Sequence, residues 1–139
     1  MHEPLEITVT LPHGRRVDAQ VGAHVVHTDQ PLSNGGEDSA PSPFQLFLAS
    51  IGTCAGIFVQ GFCAARKLPT EGIRIVERPR YREDGVLAGV ELELQLPAGF
   101  PEKYREALVK VVDGCSVKKA IAAQPELTVR ATPAAARAA

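Results

Sequence analysis

The feature that most constrains the fold is a long segment without a charged residue, Ser39–Ala65. A helix that is apolar on all sides is typical either of a protein core or of a membrane span, and this segment is long enough for both. The polar side chains within it, and the amphipathic strands predicted on both sides of it, favour a core helix. The rest of the chain is therefore expected to fold around this helix.

The composition is that of one ordinary globular domain. The 139 residues are 45% hydrophobic and 22% charged, so we expect residues 1–139 to form a single domain that buries a core without disulfides. A net charge of −1 and an aromatic content of 5% argue against nucleic acid or an anionic membrane as a partner, since a basic surface and stacking residues are both scarce.

The cysteine usage indicates a reducing compartment. A secretory signal peptide has a basic start, an apolar run and a small-residue cleavage site. This combination does not occur near Met1, so no secretory signal is predicted. The three cysteines are an odd number and lack the spacing of a secreted disulfide scaffold. Reduced thiols in the cytoplasm are the simplest expectation.

Alternation of apolar and polar residues predicts strands before the apolar segment. Residues 5–11 alternate with period two, which indicates a half-buried strand, and residues 17–21 and 23–27 predict strands that return after a turn. A long loop follows over residues 29–43. Ser42 is the expected N-cap of the central helix, with Pro43 in its first turn.

The second half predicts a hairpin, two helices and a final strand. Residues 73–82 and 86–96 read as strands around a turn at 83–85. An amphipathic helix opens at Pro101, and a short helix runs from Cys115 until Pro125 stops it. Residues 127–131 predict a last strand, and residues 133–139 a frayed tail. The element order indicates an α+β domain.

Cys54 lies in the middle of the central helix. Its helical neighbours are small or apolar: Phe47, Ser50, Ile51, Ile57, Phe58 and Gly61. Burial of that kind raises the pKa of a thiol and makes it inert unless a cation lies close by. Taken alone, Cys54 could therefore be a packed structural residue or a reactive one.

The central helix also contains three glycines, Gly52, Gly56 and Gly61. Each costs about 1 kcal/mol relative to alanine in a helix interior. A surface of small residues lets another backbone approach closely, and a second copy of the same helix is one natural partner. This hypothesis places Cys54 near a dimer interface.

The other two cysteines differ in their surroundings. Cys115 lies at the start of a predicted helix, where free N–H groups and the nearby Lys118 and Lys119 favour a thiolate. Cys63 lies half a rotation from Cys54 around the central helix and is expected to fill the core. His24 and His27 face opposite sides of a strand, so we expect neither a metal site nor a cofactor.

The run from Asp29 to Ile75 resembles the centre of the OsmC/Ohr family. The family hallmarks are a Pro-x-x-Leu entry to a long helix, a cysteine eight residues after that leucine, and a later Val/Ile-x-x-x-Cys-x-Val-x-x-Ala motif. The matching residues are Pro43, Leu46, Cys54, Val111, Cys115, Val117 and Ala120.

The resemblance implies an α+β homodimer in which antiparallel sheets of two intertwined chains wrap around long central helices. It also implies a thiol peroxidase that reduces organic hydroperoxides. Cys54 would attack the peroxide, and Cys115 would close a disulfide with it that a dithiol reductant reopens. An arginine from the first hairpin supports the thiolate in the family; Arg15 is the best match and Arg16 the alternative.

This chain departs from the family pattern at one position. The peroxidases carry a glutamate directly after the helix-entry proline, paired with that arginine, whereas this chain has Phe44. The pocket beside Cys54 is then expected to be apolar, lined by Phe44, Phe47, Ile51 and Phe58. Two functions follow as hypotheses: an organic hydroperoxide reductase, or a non-catalytic dimer that binds a small hydrophobic ligand in the same pocket.

Overall fold

A computed structural model describes residues 4–133. It contains five strands and three α-helices in that range, in the order β1 (Ile7–Thr10), β2 (Val17–Val21), β3 (His24–Thr28), α1 (Pro43–Ala65), β4 (Arg74–Tyr81), β5 (Leu87–Gln95), α2 (Arg105–Val112) and α3 (Ser116–Ala123), with short 3-10 turns at Leu32–Asn34 and Glu102–Tyr104. The predicted α+β class and the element order up to α3 are confirmed.

The start of α1 follows the local signals of the sequence. The Ser42 hydroxyl accepts the N–H of Gln45 at 3.2 Å, and the Gln45 side-chain oxygen accepts the N–H of Ser42 at 2.9 Å. This reciprocal capping box, with Pro43 in the first turn, satisfies donors that have no partner inside the helix. The predicted N-cap is confirmed.

Helix α1 ends at Ala65, and Arg66 is its C-cap residue. The Arg66 guanidinium donates to the Phe62 carbonyl at 3.1 Å and stacks over the Phe62 ring at 3.6 Å. It therefore neutralises the negative end of the helix.

The core forms where α1 meets α2 and the β4–β5 hairpin. Its buried members are Ala55, Val59, Phe62, Cys63, Phe100, Leu108 and Val112. In length and composition α1 could also cross a membrane. One face of α1 is buried in the core, as expected for the central helix of a folded domain. Cys63 lies on this face and fills the core as predicted.

The β4–β5 hairpin covers a second side of α1. The strands pair antiparallel with Ile75 opposite Leu94 and Glu77 opposite Leu92. Ile75 Cδ1 lies 4.0 Å from the position that a Cβ would take on Gly56. The Glu77 carboxylate occupies the corresponding position at Gly52. Two of the three helix glycines thus admit side chains of β4 rather than a second helix backbone.

The first sheet, β1–β2–β3, is antiparallel throughout. The prediction that β1 is half-buried is wrong for the single chain, because all four of its residues are exposed. The side chains of Ile7 and Val9 are 50% and 55% exposed. Nothing in the described residues covers this apolar face.

The predicted last strand is also wrong. Residues 127–131 form no ladder, and Leu127 and Val129 are 91% and 99% exposed. Alternation shows that a segment suits a strand, but a strand also needs the edge of a neighbouring strand to pair with. Residues 127–131 reach no such edge within the described chain. Residues 134–139 of the predicted tail lie outside the described residues.

The loop between β3 and α1 is organised by one buried carboxylate. Asp29 is 1% exposed and accepts four hydrogen bonds: from the N–H groups of Gln30 (2.8 Å), Glu37 (3.3 Å) and Ser39 (3.1 Å), and from the Ser39 hydroxyl (2.6 Å). The hydrogen bonds, led by that from the Ser39 hydroxyl, lower the pKa of Asp29 to about 2. Asp29 therefore fixes the approach to α1.

Replacing Asp29 with asparagine should destabilise the domain in a pH-dependent way. The folded-state pKa of about 2 lies below the ordinary 3.8. The stabilisation from the ionised carboxylate is therefore complete above about pH 4 and lost as the pH falls through about 2. Thermal unfolding should show a midpoint several degrees below wild type at pH 7 and a shrinking difference toward pH 2. An equal deficit at both pH values, or an equal effect of the exposed-site control Glu37→Gln, would contradict this role.

Candidate active site

The packing of α3 against α1 brings two of the three cysteines together. Cys54 lies in the middle of α1 and is partly exposed, whereas Cys115 is the N-cap residue of α3 and only 3% exposed. The two side chains lie close enough for Cys115 to act on the pKa of Cys54. All three cysteines are unbonded thiols.

The first turn of α3 supplies further donors to Cys54. The pKa of Cys54 is lowered, first by the hydrogen bond with the Cys115 side chain and next by the backbone N–H of Val117, with a smaller contribution from the N–H of Ser116. Desolvation opposes these effects. These N–H groups have no partner inside their own helix, so they are available to a thiolate.

The sequence related the N-terminus of this helix to Cys115 alone. In the structure its N–H groups also lower the pKa of Cys54, on another helix. Cys115 is the N-cap residue of α3 and precedes the N–H groups of Ser116 and Val117 in the chain. The nearby Lys118 donates to Asp113 at 2.5 Å and is not among the groups that lower the pKa of Cys54.

A cavity of about 630 Å³ opens beside Cys115. Its walls come mainly from apolar residues of α1, β5, α2 and α3, with a few polar ones at the rim: Phe47, Ile51, Leu87, Ala88, Gly89, Val90, Leu92, Leu94, Leu96, Arg105, Val109, Val112, Asp113, Cys115, Lys118 and Ile121. The cavity can hold a small apolar molecule next to a thiol.

The four predicted pocket residues take different places. Phe47 and Ile51 line the cavity. Phe44 packs on Phe47, with ring centroids 5.6 Å apart, and lies 6.4 Å from the ring of Tyr81. Phe58 lies on another side, next to Gly114. Phe44 therefore belongs to an aromatic group at the start of α1, beside the cavity.

The two candidate arginines lie away from the thiols within one chain. Arg15 is exposed in the turn between β1 and β2. Arg16 is engaged locally, because its Nη2 donates to Asp18 Oδ1 at 3.3 Å and contacts His27 Nδ1 at 2.9 Å. Neither arginine contributes to the pKa of Cys54 in the single chain.

Sequence reasoning missed several groups at this site. The N–H groups of Ser116 and Val117 could have been found from the predicted helix start, but their direction depends on how α3 packs. Within residues 4–133, no group of three or more His, Cys, Asp or Glu side chains is arranged to hold a metal ion.

Comparison with known proteins identifies the fold. The family model described as "OsmC-like protein" matches residues 36–130. A search of curated proteins gave no match. A putative osmotic stress induced and detoxification response protein from Psychrobacter arcticus is 17% identical, with 86% of this chain and 90% of that chain covered and a TM-score of 0.73.

Two further solved structures carry more specific names. An organic hydroperoxide resistance protein OsmC from Legionella pneumophila is 20% identical over 86% of this chain and 89% of that chain, with a TM-score of 0.56. An organic hydroperoxide resistance protein from Elizabethkingia anophelis is 20% identical with the same coverage and a TM-score of 0.60. At these identities the likeness shows the fold, and together with the match over residues 36–130 it establishes that this chain belongs to the OsmC-like protein family.

Proposed function

We propose that this protein is a thiol-dependent peroxidase that reduces organic hydroperoxides in defence against oxidative stress. The observation that carries the proposal is the close approach of Cys54 and Cys115 at the N-terminus of α3. Cys115 and the N–H groups of Val117 and Ser116 lower the pKa of Cys54, which favours its thiolate.

In the first step the Cys54 thiolate attacks the terminal oxygen of the hydroperoxide. An S–O bond forms, the O–O bond breaks, and the alkoxide that leaves takes a proton to become the alcohol. The sulfur is oxidised to a sulfenic acid. Cys54 suits this role better than Cys115, because it is the more exposed of the two thiols, and its own pKa is lowered.

In the second step Cys115 resolves the sulfenic acid. Its sulfur attacks the Cys54 sulfur, water leaves, and a Cys54–Cys115 disulfide forms. A dithiol reductant then restores both thiols by exchange. The effect of the Cys115 side chain on the pKa of Cys54 supports this pairing, because it requires the two thiols to lie close together.

The proposed enzyme acts as an intertwined homodimer in the cytoplasm. The uncovered apolar face of the first sheet supports a second chain as the missing partner, with Ile7 and Val9 exposed by about half. Arg15 would support the Cys54 thiolate across that interface. Within one chain Arg15 is exposed while Arg16 is held by Asp18, which favours Arg15 for the role.

A second function is supported by the cavity itself. Its lining is mostly apolar, and Phe44 adds an aromatic side chain beside it. A non-catalytic dimer that binds a small hydrophobic ligand would use the same space. The two functions differ in whether Cys54 changes its oxidation state.

Steady-state turnover separates these functions. The reduced protein should consume a bulky organic hydroperoxide in the presence of a dithiol, and faster than it consumes hydrogen peroxide, because the cavity offers apolar contacts to the organic substrate only. Binding of the corresponding alcohol without any hydroperoxide consumption would favour the ligand-binding function.

Substitution of Ser116 by proline tests the helix donors. Proline removes one N–H that reaches Cys54, and it fits a first helical position, since Cys115 already has the extended ψ of 131° that precedes proline. We expect the pKa of Cys54 to rise, so that alkylation of Cys54 requires a higher pH. Ser116→Ala keeps the N–H and should behave as wild type. Identical alkylation profiles for both variants would show that this N–H does not stabilise the thiolate.

A further inference from the structure

The cavity beside Cys115 is elongated. Its lining follows β5 from Leu87 to Leu96, a span of about 30 Å for an antiparallel strand. Across from β5, Val109 and Val112 contribute apolar side chains from one face of α2. A cavity of this shape and lining suits an extended hydrocarbon chain.

Among the described residues that line the cavity, three carry a charge: Arg105, Asp113 and Lys118. Asp113 and Lys118 lie two residues before and three residues after Cys115 in the chain, so they mark the thiol end of the cavity. Arg105 is the first residue of α2, about 10 Å along the helix axis from its last residue. The partners of these charges decide which head group a ligand can carry.

Each of these charges already has a partner within the chain. Lys118 Nζ donates to Asp113 Oδ1 at 2.5 Å. Arg105 Nε donates to Glu102 Oε2 at 3.1 Å, and its Nη2 lies 3.0 Å from the same oxygen. An exposed ion pair adds little to stability, but it must separate before its cation can bind a ligand carboxylate. The Asp113 carboxylate would then remain in the cavity wall and repel that ligand.

The helix N-terminus at the thiol end is occupied as well. The N–H groups of Ser116 and Val117 lower the pKa of Cys54, so they act on a group of the protein itself. The cavity therefore combines an apolar wall with charges that cancel in pairs. A ligand carboxylate there would lose water without gaining a cation, and burying an unpaired charge is costly.

We infer that the site selects uncharged hydroperoxides, those of alkyl or esterified lipid chains, and discriminates against hydroperoxides that carry a free carboxylate. The inference rests on the proposed function and names the substrate class of that site. Asp113 and Glu102 set the specificity, because each of these carboxylates neutralises a cation that a fatty-acid anion would need. The hydrocarbon chain lies along β5, with the peroxide group at the thiol end.

A matched pair of ligands tests the inference without turnover. The ligands are a medium-chain hydroxy acid and its methyl ester, which stand for the alcohol products of the two substrate classes. Equilibrium dialysis against the reduced protein measures both dissociation constants at pH 7. We expect the ester to bind about tenfold more tightly in wild type, because the acid must leave its charge unpaired. Equal affinities, or tighter binding of the acid, would overturn the inference.

Three variants separate the proposed charge effect from the greater hydrophobicity of the ester. Asp113→Asn releases Lys118 and should shift the ratio of the two affinities about fivefold toward the acid. Glu102→Gln releases Arg105 and should shift the ratio in the same direction, so the test does not depend on the folding of one variant. Glu106→Gln is the matched control, because it removes the same charge from an exposed position of α2 outside the cavity lining, and it should leave the ratio unchanged. An unchanged ratio in both of the first two variants, or an equal shift in all three, would overturn the inference.

Turnover distinguishes this inference from the proposed peroxidase. The values of kcat/KM for the hydroperoxides of the acid and of the ester should follow the same order as the affinities. Equal values for the two hydroperoxides would overturn the inference and leave the peroxidase supported. A protein that prefers the ester and shows the shift in Asp113→Asn, but consumes no hydroperoxide, would contradict the peroxidase and leave the selection of uncharged ligands supported.

Discussion

Cys54→Ser should abolish hydroperoxide consumption. Serine cannot form the sulfenic acid, so the rate with a dithiol reductant should fall by about 10³-fold or more, as expected when an enzyme loses its nucleophile. The measurement is the loss of an organic hydroperoxide under saturating reductant. The substitution is nearly isosteric at a partly exposed position, so the fold should persist.

Cys63→Ala is the matched control for that loss. Cys63 is fully buried in the core, and its removal should lower stability while sparing the turnover of the folded protein. Equal inactivation of the Cys54 and Cys63 variants would mean that the assay reports folding. Undiminished consumption by Cys54→Ser would exclude Cys54 as the reacting thiol.

Cys115→Ser should separate the first turnover from the following ones. The serine hydroxyl can still donate a hydrogen bond to the Cys54 sulfur, so attack on the first equivalent of hydroperoxide should remain near the wild-type rate. Without a resolving thiol the sulfenic acid persists, and steady-state turnover should fall to a small fraction of wild type. Rapid mixing with a dimedone-type trap would detect the sulfenic acid at Cys54.

The alanine variant refines this prediction. Cys115→Ala removes both the resolving sulfur and the largest contribution to the lowered pKa of Cys54. The first turnover should then be slower than in Cys115→Ser at neutral pH and should recover as the pH rises. Full steady-state turnover in either variant would show that another thiol resolves the sulfenic acid.

Local signals in the sequence were sufficient for most of the fold. The N-cap at Ser42, the alternation in β2, and the stop at Pro125 each depend on residues within a few positions of one another. The last strand failed because its pairing edge is a tertiary property. The exposure of β1 has the same origin, since alternation does not say what covers the apolar side.

The site was harder to predict, because its groups come from distant parts of the chain. Helical periodicity gave Cys54 apolar neighbours but did not place Cys115 beside it; that expectation came from the family resemblance. The sequence indicated the helix N-terminus at Cys115, but it did not show that the N–H groups there also act on Cys54. Ile75 and Glu77 are two residues apart in a strand and therefore lie on the same face, so the sequence could have placed Glu77 against α1. Only the structure shows that Glu77 Oε1 is buried without a hydrogen-bond partner among the described residues.

The proposed peroxidase chemistry is tested with the reduced protein and one equivalent of an organic hydroperoxide. After quenching, peptide mass spectrometry locates disulfides and alkylated thiols. We expect a Cys54–Cys115 disulfide in wild type, none in Cys54→Ser, and Cys63 still reduced in both. An unconsumed hydroperoxide, with Cys54 and Cys115 both still open to alkylation, would contradict it.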